Sequence, residues 1–461
     1  MRAVVLAAGK GTRMKSARPK VLHELCGRPM LWHVLRALHD AGVTDVTVVT
    51  SPELAEQLAA AAEGAAREIP RAVLQQPQLG TGHAVGVALA ELAPAQGTIV
   101  VLNGDMPLID AGLVRAVLDA RDCALALVTA RMPLPCSFGR IVRDGAHGSG
   151  AAHGSRGSHV TRIVEARDAS DDELLIDEMN AGLYAFDEAK LRAAIAELKN
   201  DNAQAEYYLT DTIGRLASGG ERIVPILADD YRSVLGVNDR VELAHAAALI
   251  NRRLCEHHLR AGVTIADPAT TYLEPDLTFE TDVTILPNTT IGRRSRIGAH
   301  SEIGPNARLQ NAVIGEHVVI ADSVVVDSAI GDFSYIGPWA HVRAGSNIGT
   351  GARIGNYVEV KTAKLAPGVK AGHLTYLGNA TIGERSNIGA GTITCNFDGT
   401  DKHDTTIGAD VFVGSNSSLV APVTLGDGSM TGAGSVVIRD VAPGERVAGN
   451  PARTLPKKDP A

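Results

Sequence analysis

The sequence is poor in aromatic residues and has no excess of positive charge. Phe, Trp and Tyr make up 3% of the 461 residues, so few rings are available to stack on the bases of a nucleic acid. The formal net charge of -8 at pH 7 is also unlike that of a protein that wraps a polyanion, because such binding depends on many lysine and arginine contacts with phosphates. Together these features predict no nucleic-acid partner.

Cysteines are few and long apolar runs are missing. The chain has five widely spaced cysteines with no CxxC pair, which predicts reduced thiols in a cytoplasmic protein: Cys26, Cys123, Cys136, Cys255 and Cys395. The apolar run AVVLAAG before Lys10 is too short for the core of a signal peptide. No run approaches the length that spans a membrane, so we predict no membrane insertion.

Residues 1–230 alternate short apolar runs with stretches of helical spacing. RAVVLAAG, DVTVVT, GTIVVLNGD and ALALVTA are typical of buried parallel strands, and MLWHVLRALHDAG and ELAEQLAAAAE of helices. This alternation predicts an α/β sheet with helices on both faces. Ligands of such sheets bind beyond the carboxyl ends of the strands, which directs attention to the loops after VVLAAG and VVLNGD.

Two segments separate or interrupt the regular patterns. GAHGSGAAHGSRGSH, residues 145–159, is rich in Gly and Ser and is predicted to be a flexible loop, although its three histidines, His147, His153 and His159, leave a metal site as the alternative. Residues 239–261 predict one amphipathic helix that ends at Gly262. We therefore expect three parts: a domain over 1–230, a helical linker arm over 231–262 and a second domain over 263–461.

From about residue 280 an aliphatic residue recurs at every sixth position. One register runs Ile285, Ile291, Ile297, Ile303, Leu309, and further registers begin at Ile330, Ile382 and Ile407. A period of six fits neither a helix nor a simple strand, but it fits a chain that turns a corner at each hexad and stacks on itself as a parallel β-helix. The small residue that often follows, such as Gly298, would leave room for the turn. Three hexads per coil give on the order of nine coils over 280–440.

The stretch LAAGKGTRM places a glycine-rich turn directly after the first strand. Gly9 and Gly11 would let backbone N–H groups approach phosphate oxygens, and Arg13 and Lys20 would add positive charge. A dinucleotide fingerprint would need a third glycine at Met14, and a P-loop would need Ser or Thr directly after the Gly-Lys pair. Taken alone, the turn is equally compatible with a plain tight turn.

The longer stretch is far more specific. LAAGKGTRM followed by PKVLH closely resembles the signature of sugar-1-phosphate nucleotidyltransferases, and further matches follow in order: LQQPQLGTGHA, LNGDMPL, FGRIV, IVEARDA, NAGLY, NAQAEYYLTD and GVNDR. With the hexads behind them, nearly the whole chain resembles the bacterial family of bifunctional N-acetylglucosamine-1-phosphate uridyltransferases/glucosamine-1-phosphate acetyltransferases. The resemblance implies a Rossmann-like nucleotidyltransferase domain followed by a left-handed β-helix that assembles as a homotrimer.

The resemblance implies uridylyl transfer from UTP in the first domain. Lys20 and Arg13 would be catalytic, with Arg13 assisting the leaving pyrophosphate, and Asp105 and Asn238 would bind Mg²⁺. A lone aspartate at a strand end is more often a turn residue, but its motif favours the metal role. The family often has Tyr at Asn103. The implied nucleotide and sugar-binding set is Leu6, Ala7, Ala8, Gly9, Lys20, Gln75, Gly80, Thr81, Asn103, Gly104, Asp105, Gly139, Glu165, Asn180 and Asn238.

In the second domain, His373 interrupts the hexad register within KAGHLTYLG. Histidine suits a general base near neutral pH, although on a β-helix it is more often a solvated surface residue. The resemblance implies that His373 is the base for direct acetyl transfer from acetyl-CoA, with Cys395 only lining the pocket. Glucosamine 1-phosphate would contact Arg343, Lys361, Tyr376 and Asn387, and acetyl-CoA would contact Ala390, Asn396, Phe397, Ser415, Ala433 and Asn450.

Two positions depart from the family pattern in the acetyl-CoA set. Phe397 stands where the family usually has Tyr, and Asn450 aligns with an arginine, a role that Arg453 could take over.

The predicted function is a two-step synthesis of UDP-N-acetylglucosamine for peptidoglycan and lipopolysaccharide. The alternatives are a nucleotidyltransferase whose β-helix only binds effectors or assembles subunits, and a non-catalytic assembly subunit of similar architecture.

Overall fold

The computed structural model describes residues 1–120, 122–144 and 159–456. The chain divides into two compact units, Met1–Ile250 and Asn251–Ala461. The predicted flexible loop, with His147 and His153, lies outside the described residues over 145–158. His159 is described, and its Nδ1 lies 3.0 Å from Oδ2 of Asp144.

The first unit is an α/β domain. Its strands are β1 (Arg2–Leu6), β2 (Glu24–Leu25), β3 (Arg28–Pro29), β4 (Asp45–Thr50), β5 (Arg71–Leu74), β6 (Thr98–Asn103), β7 (Leu125–Arg131), β8 (Arg140–Arg143), β9 (Val160–Val164), β10 (Glu178–Asp187) and β11 (Ile223–Leu227). Its helices are α1 (Met30–Asp40), α2 (Pro52–Ala55), α3 (Leu58–Ala62), α4 (Thr81–Glu91), α5 (Ala111–Asp119), α6 (Glu188–Ala196) and α7 (Asp211–Ser218), and α8 (Arg240–Arg260) contains the boundary between the units. Short 3-10 turns occupy Thr12–Met14, Lys20–Leu22, Glu173–Leu175 and Tyr231–Val234.

The main sheet has the order β11-β7-β10-β6-β1-β4-β5, and β8 pairs with β10 and β9. Along β1, Val5 belongs to one apolar cluster and Val4 to another, which is the pattern of a sheet covered on both faces. The predicted α/β class is therefore confirmed. The sequence also correctly predicted the helix that ends before Gly262, since α8 covers Arg240–Arg260 and Gly262 has a φ of 98°.

The four strands predicted from the sequence, here β1, β4, β6 and β7, all run in the same direction, but the sheet as a whole is mixed. β10 lies between β6 and β7 and is antiparallel to both, while β7 is parallel to β11. Nearly all of β10 is buried, and a fully buried strand gives a continuous apolar run that does not reveal its direction. The pairing of β10 with β7 shifts between Asn180 and Tyr184, next to Gly182 at a φ of 76°.

The predicted single helix over residues 53–63 is two short helices, α2 and α3. In a continuous helix the backbone N–H of Gln57 would donate to the carbonyl of Glu53. Here the Gln57 side-chain Nε2 donates to that carbonyl at 3.0 Å, and the Gln57 N–H turns to Leu54 at 3.1 Å. A local side-chain contact thus ends the first helix despite alanine-rich neighbours with high helix propensity.

The second unit is a stack of short strands. As the hexads predicted, these strands pair in parallel, except that Arg453–Thr454 is antiparallel to Arg446–Ala448. They are β12 (Thr264–Ile265), β13 (Tyr272–Leu273), β14 (Thr278–Phe279), β15 (Thr284–Ile285), β16 (Thr290–Ile291), β17 (Arg296–Ile297), β18 (Glu302–Ile303), β19 (Arg308–Ile314), β20 (Val319–Ile320), β21 (Val324–Ile330), β22 (Tyr335–Ile336), β23 (His341–Val342), β24 (Asn347–Ile348), β25 (Arg353–Asn356), β26 (Glu359–Lys361), β27 (Lys364–Leu365), β28 (Lys370–His373), β29 (Tyr376–Gly378), β30 (Ala380–Ile382), β31 (Asn387–Ile388), β32 (Ile393–Cys395), β33 (Thr405–Ile407), β34 (Phe412–Val413), β35 (Ser418–Val420), β36 (Val423–Leu425), β37 (Met430–Thr431), β38 (Val436–Val437), β39 (Arg446–Ala448) and β40 (Arg453–Thr454).

Parallel pairs such as Ile285 with Ile303 link residues about three hexads apart, so each coil stacks on the previous one. One sheet runs β12-β15-β18-β20-β22-β25-β28-β31-β34-β37-β39-β40, and within the described residues nine of its strands fall inside 280–440. This agrees with the predicted number of coils over that range. The hexad residues form one buried core along the stack, including Ile285, Ile303 and Ile354 at 0% exposure.

The glycines after the hexad residues serve the contact between coils rather than the turn itself. A Cβ atom at Gly298 would lie 2.4 Å from the carbonyl carbon of Gly315, which belongs to the next coil. The corners are instead made by residues with positive φ, such as Asp282 at 57° and Asn288 at 58°. Asn and Asp tolerate this conformation better than most residues. The left-handed winding stays a prediction.

All five cysteines fall in the described part of the chain, and none forms a disulfide there. Across residues 1–120, 122–144 and 159–456, no helix is both long and apolar enough to cross a membrane.

Candidate active sites

Two adjoining cavities open at the carboxyl ends of β1 and β6 in the first unit. Their volumes are about 450 and 420 Å³, and both are lined by Leu6, Thr81, Asn103 and Asp105. Leu6 ends β1, Asn103 ends β6, and Thr81 begins α4. The cavities therefore lie at the loops to which the strand pattern directed attention.

The structure brings most of the predicted nucleotide-site residues to these two cavities. The larger one, here called the sugar-side cavity, is lined by Arg13, Gly139, Glu165, Asn180 and Asn238 in addition to the shared residues. The other, the nucleotide-side cavity, is lined by Ala7, Ala8, Gly9, Lys20, Gln75 and Gly80. Gly104 does not line either cavity. Its N–H donates to the carbonyl of Leu6 at 2.8 Å, which fixes the ends of β1 and β6 side by side.

The wall around Gly80 has no space for a side chain. Gly80 has a φ of 105°, and a Cβ atom there would lie 2.6 Å from the carbonyl oxygen of Tyr207. The Gln75 amide donates to the Gly80 carbonyl at 2.9 Å. The Thr81 hydroxyl accepts the Leu209 N–H at 3.0 Å. These contacts hold Gln75, Gly80 and Thr81, members of the predicted nucleotide-binding set, in fixed positions at the start of α4.

Lys20 joins the two predicted metal ligands. Its ammonium donates to Oδ2 of Asp105 and, at 3.1 Å, to Oδ1 of Asn238. The Val237 N–H donates to the Asp105 carbonyl at 2.8 Å, which brings Asn238 to the end of β6. Gly11 makes room for the lysine, because a Cβ atom at Gly11 would lie 2.7 Å from Cβ of Lys20.

A polar wall lies on the far side of the sugar-side cavity. Glu165 accepts the Thr210 hydroxyl at 3.0 Å, yet burial raises the pKa of the Glu165 carboxyl above its ordinary value. Asn180 is held by the Tyr184 hydroxyl, with contacts of 2.7 and 3.0 Å. Burial also raises the pKa of Tyr184, so this hydroxyl stays neutral.

In the second unit, His373 ends β28 and is exposed. Its Nδ1 contacts Oδ1 of Asn356, the residue paired with it on β25. The next strand of the same sheet, β31, carries Asn387, which pairs with Lys370 of β28. The predicted base and one predicted sugar contact therefore lie on neighbouring strands.

A cluster of cations lies on the other sheet of the β-helix. The Arg343 N–H donates to the carbonyl of Val360 at 2.8 Å, and the Arg343 guanidinium donates to Glu359 at 2.6 Å. The ammonium of Lys402 and, next, the charge of Arg343 lower the pKa of Lys361. Cations this close repel one another, and an anion bound among them would relieve that repulsion.

The predicted acetyl-CoA residues fall into three groups. Ala390 and Ser415 lie along adjoining coils. The Ala390 carbonyl accepts the N–H of Asn416 at 2.7 Å, and the Ser415 carbonyl accepts the N–H of Gly434, the residue after Ala433, at 2.8 Å. Asn396 is buried and donates to Asn379 at 2.8 Å, whereas Phe397 is 59% exposed. Asn450 and Arg453 are both exposed near β40, so either could reach a ligand at the end of the stack.

Family comparisons cover both units. Residues 3–205 match the MobA-like NTP transferase domain, residues 273–350 match the GMPPB C-terminal domain, and residues 404–439 match the bacterial transferase hexapeptide with six repeats. The proteins named "Bifunctional protein GlmU" from Brevibacillus brevis and Lactococcus lactis strain SK11 are 44% and 43% identical over 442 residues, which is 95% of this chain and 92% and 93% of those proteins. The one from Streptomyces avermitilis is 42% identical over 445 residues, 96% of this chain and 90% of that protein.

The chain belongs to the GlmU family. The predicted resemblance to a bifunctional transferase is thereby confirmed, and the aligned length of the GlmU proteins includes both units.

Three residues in contact with the predicted GlmU site residues were missed by the sequence analysis. Glu242 accepts the Asn238 N–H at 2.6 Å, and it could have been found because D-x-x-E before an apolar run is a helix-start signal. Lys402 stands in a loop outside the hexad register, and Asn356 lies 17 residues before His373 along the chain. Only the three-dimensional coil spacing reveals the last contact.

Proposed function

We propose which residues carry the two activities of this enzyme. The C-terminal half transfers the acetyl group of acetyl-CoA to glucosamine 1-phosphate. The N-terminal half then transfers the uridylyl group of UTP to N-acetylglucosamine 1-phosphate and releases pyrophosphate. The product, UDP-N-acetylglucosamine, is a precursor of peptidoglycan and lipopolysaccharide. The assignment of residues rests chiefly on one observation, the convergence of Lys20, Asp105 and Asn238 where the two cavities of the first unit adjoin.

In the N-terminal half, UTP occupies the nucleotide-side cavity and the sugar phosphate the sugar-side cavity. Gln75, Gly80 and Thr81 hold the uracil, while the backbone of residues 7–9 follows the phosphates. An oxygen of the sugar phosphate attacks the α-phosphorus, and the bond to pyrophosphate breaks. Lys20 and Arg13 neutralise the negative charge that shifts to the leaving group, which is the main demand of phosphoryl-type transfer.

Asp105 and Asn238 hold Mg²⁺ in this proposal. Both offer hard oxygen atoms, which Mg²⁺ prefers, and Lys20 contacts the same two oxygens, so the position suits a cation. Over the part of the chain that the structure describes, no group of three or more His, Cys, Asp or Glu side chains could hold a metal. The remaining ligands would be phosphate oxygens and water. Bound Mg²⁺ would neutralise charge on the phosphates.

In the C-terminal half, His373 is the general base. The amine of glucosamine 1-phosphate attacks the thioester carbonyl, the C–S bond breaks, and the amine proton passes to His373. Arg343 and Lys361 bind the phosphate, while Tyr376 and Asn387 bind the sugar. The proximity of Lys361 to two other cations supports this assignment, because the cluster has the charge that a phosphate requires.

The acetyl-CoA contacts are assigned mainly to backbone groups of the later coils. Ala390, Ser415 and Ala433 offer such groups along adjoining coils, and Asn396 adds a fixed amide. Phe397 offers a ring without the hydroxyl of the usual Tyr, and its exposure is compatible with packing against the cofactor substrate. At the chain end we propose Asn450 or Arg453, with Cys395 as a lining thiol.

We also propose three features of the whole protein: domains over 1–230 and 263–461 with a linker arm over 231–262, a homotrimer formed through the β-helix, and a cytoplasmic location. The trimer is supported by an exposed row at one corner of the β-helix. Trp339 and Tyr357 stack at 5.3 Å between ring centroids, and both are 55% exposed. Leu374, directly after His373, is 62% exposed. Exposed apolar rows of this kind are typical of interfaces.

Paired assays of the purified protein and its His373→Ala variant test this proposal. One assay follows CoA release from acetyl-CoA and glucosamine 1-phosphate, and the other follows pyrophosphate release from UTP and N-acetylglucosamine 1-phosphate with Mg²⁺. We expect the variant to lose CoA release and to keep pyrophosphate release. Full CoA release by the variant would overturn the role of His373, and no CoA release by the wild type would support the single-activity alternative.

A further inference from the structure

The exposed ring of His373 requires a partner if it is to act as a base in one defined state. A neutral imidazole carries its proton on either nitrogen, and the partner of one nitrogen decides which of them is left as the acceptor. In this structure the partner of Nδ1 is the side-chain oxygen of Asn356. Asn356 lies outside the residue set that the family resemblance predicted.

The coil geometry fixes Asn356 against His373. The two residues are paired in register between β25 and β28, and the Asn356 carbonyl accepts the N–H of Leu374 at 2.9 Å. The preceding residues allow this approach, because a Cβ atom at Gly355 would lie 1.9 Å from the Gly372 carbonyl oxygen. Asn356 thus holds the His373 segment by its backbone as well as by its side chain.

The groups paired with β28 include no carboxylate among the described residues. On one side β25 contributes Arg353, which pairs with Lys370, and on the other β31 contributes Asn387, which also pairs with Lys370. Lys370 and Arg353 are the charged members, and both stand at the opposite end of their strands from His373. A neutral amide is therefore the polar group that the pairing places against the ring.

We propose that Asn356 is a positioning residue for acetyl transfer: its amide oxygen accepts the Nδ1–H of His373 and leaves Nε2 free to take the proton of the attacking amine. The new bond joins the amine nitrogen to the acetyl carbon, and the C–S bond to CoA breaks. The proton passes from the amine to Nε2 and then to the CoA sulfur. This inference rests on the proposed role of His373 as the base.

Three variants of the full-length protein test the inference. Asn356→Ala removes the acceptor, and we expect kcat/KM for CoA release to fall about 10- to 100-fold, by analogy with the loss of the hydrogen-bond partner of a metal-bound histidine. Asn356→Asp keeps an acceptor but adds a negative charge that favours the protonated ring. We expect it to retain activity at high pH, with the acidic limb of its pH–rate profile moved up by about one unit or more. Asn347→Ala, at an exposed position of β24, serves as the matched control.

We expect the rate of pyrophosphate release to be unchanged in all three variants. That result would show that the protein is folded and that any loss of CoA release is specific to acetyl transfer. The ¹⁵N shifts of His373, assigned by comparison with His373→Ala, report the tautomer directly. We expect protonated Nδ1 in the wild type and a mixture in Asn356→Ala. One outcome would overturn the role of Asn356 and leave His373 as the base. In that outcome His373→Ala abolishes CoA release, while Asn356→Ala and Asn356→Asp keep the wild-type rate of CoA release, the wild-type pH–rate profile and the wild-type tautomer of His373. If His373→Ala is active, the base assignment itself has failed.

Discussion

Lys20 gives the sharpest prediction about the proposed metal site. Its ammonium contacts Asp105 and Asn238, the two residues assigned to Mg²⁺, so a divalent cation entering the ligand-free enzyme must displace it. The Lys20 and Asp105 side chains are only 13% and 22% exposed, so the pair is partly withdrawn from solvent. A hydrogen bond to a charged group contributes about 1.5–3 kcal/mol, which corresponds to ~10- to ~100-fold in binding. We expect Lys20→Met to bind Mn²⁺ more tightly than the wild type by this factor, although it loses uridylyl transfer.

The measurement is Mn²⁺ titration of the nucleotide-free protein, followed by the electron paramagnetic resonance of free Mn²⁺. Lys10→Met is the matched control, because Lys10 lines the same nucleotide-side cavity but is not bonded to either metal ligand. It removes the same charge and so measures the general electrostatic gain. Equal affinities in the two variants would refute the displacement argument. Adding UTP should reduce the difference in Mn²⁺ affinity between the wild type and Lys20→Met, because the phosphates of UTP then attract the Lys20 ammonium away from Asp105.

Three further substitutions and one control substitution have expected outcomes. Lys402→Met should raise the KM for glucosamine 1-phosphate about 10-fold in steady-state kinetics, since a phosphate contact is lost. The same substitution should raise the pKa of Lys361 in an NMR titration, because the Lys402 ammonium is the largest cause of the lowered pKa of Lys361. Burial raises the pKa of Glu165 in the folded state, so the folded wild type binds more protons than the unfolded chain and loses stability as pH increases. Glu165→Gln has no such group. The melting temperature of this variant, compared with that of the wild type at the same pH, should therefore rise between pH 4 and pH 7. Gly298→Ala should destabilise the β-helix by about 1–3 kcal/mol through overpacking, measured by denaturant titration, whereas Gly372→Ala should change stability little, because a Cβ atom at Gly372 would have no neighbouring atom within 4 Å.

The sequence predicted the β-helix well because the same physical requirement recurs in every hexad. Each hexad residue must be aliphatic to fill the core, and Ile285, Ile303 and Ile354 all do so at 0% exposure. The direction of β10 could not be predicted in the same way. A strand buried on both faces is apolar whichever way it runs, and its partners are set by contacts remote along the chain.

The candidate site residues were likewise predictable in part. Most residues quoted from the motifs of the first half line the two cavities, because Leu6 and Asn103 end parallel strands at the same edge of one sheet. Contacts that depend on pairing between coils were out of reach. Asn356 acquires its meaning only from its register with His373, and nothing in its local sequence distinguishes it from other asparagines at strand ends.

The cation cluster that we propose as the phosphate site of the β-helix includes a residue from a break in the repeat. Lys370 and the residue paired with it in the next coil, Asn387, are 17 residues apart, but Asn387 and its next partner, Phe412, are 25 apart. The additional residues form a loop that His403 closes by contacting Asp398 at 2.7 Å, and this loop carries Lys402 to Lys361. A perfect repeat presents the same small set of groups at every coil, so it cannot gather several cations around one phosphate. The departure from the period supplies the additional charge, and the regular coils on either side hold it in place.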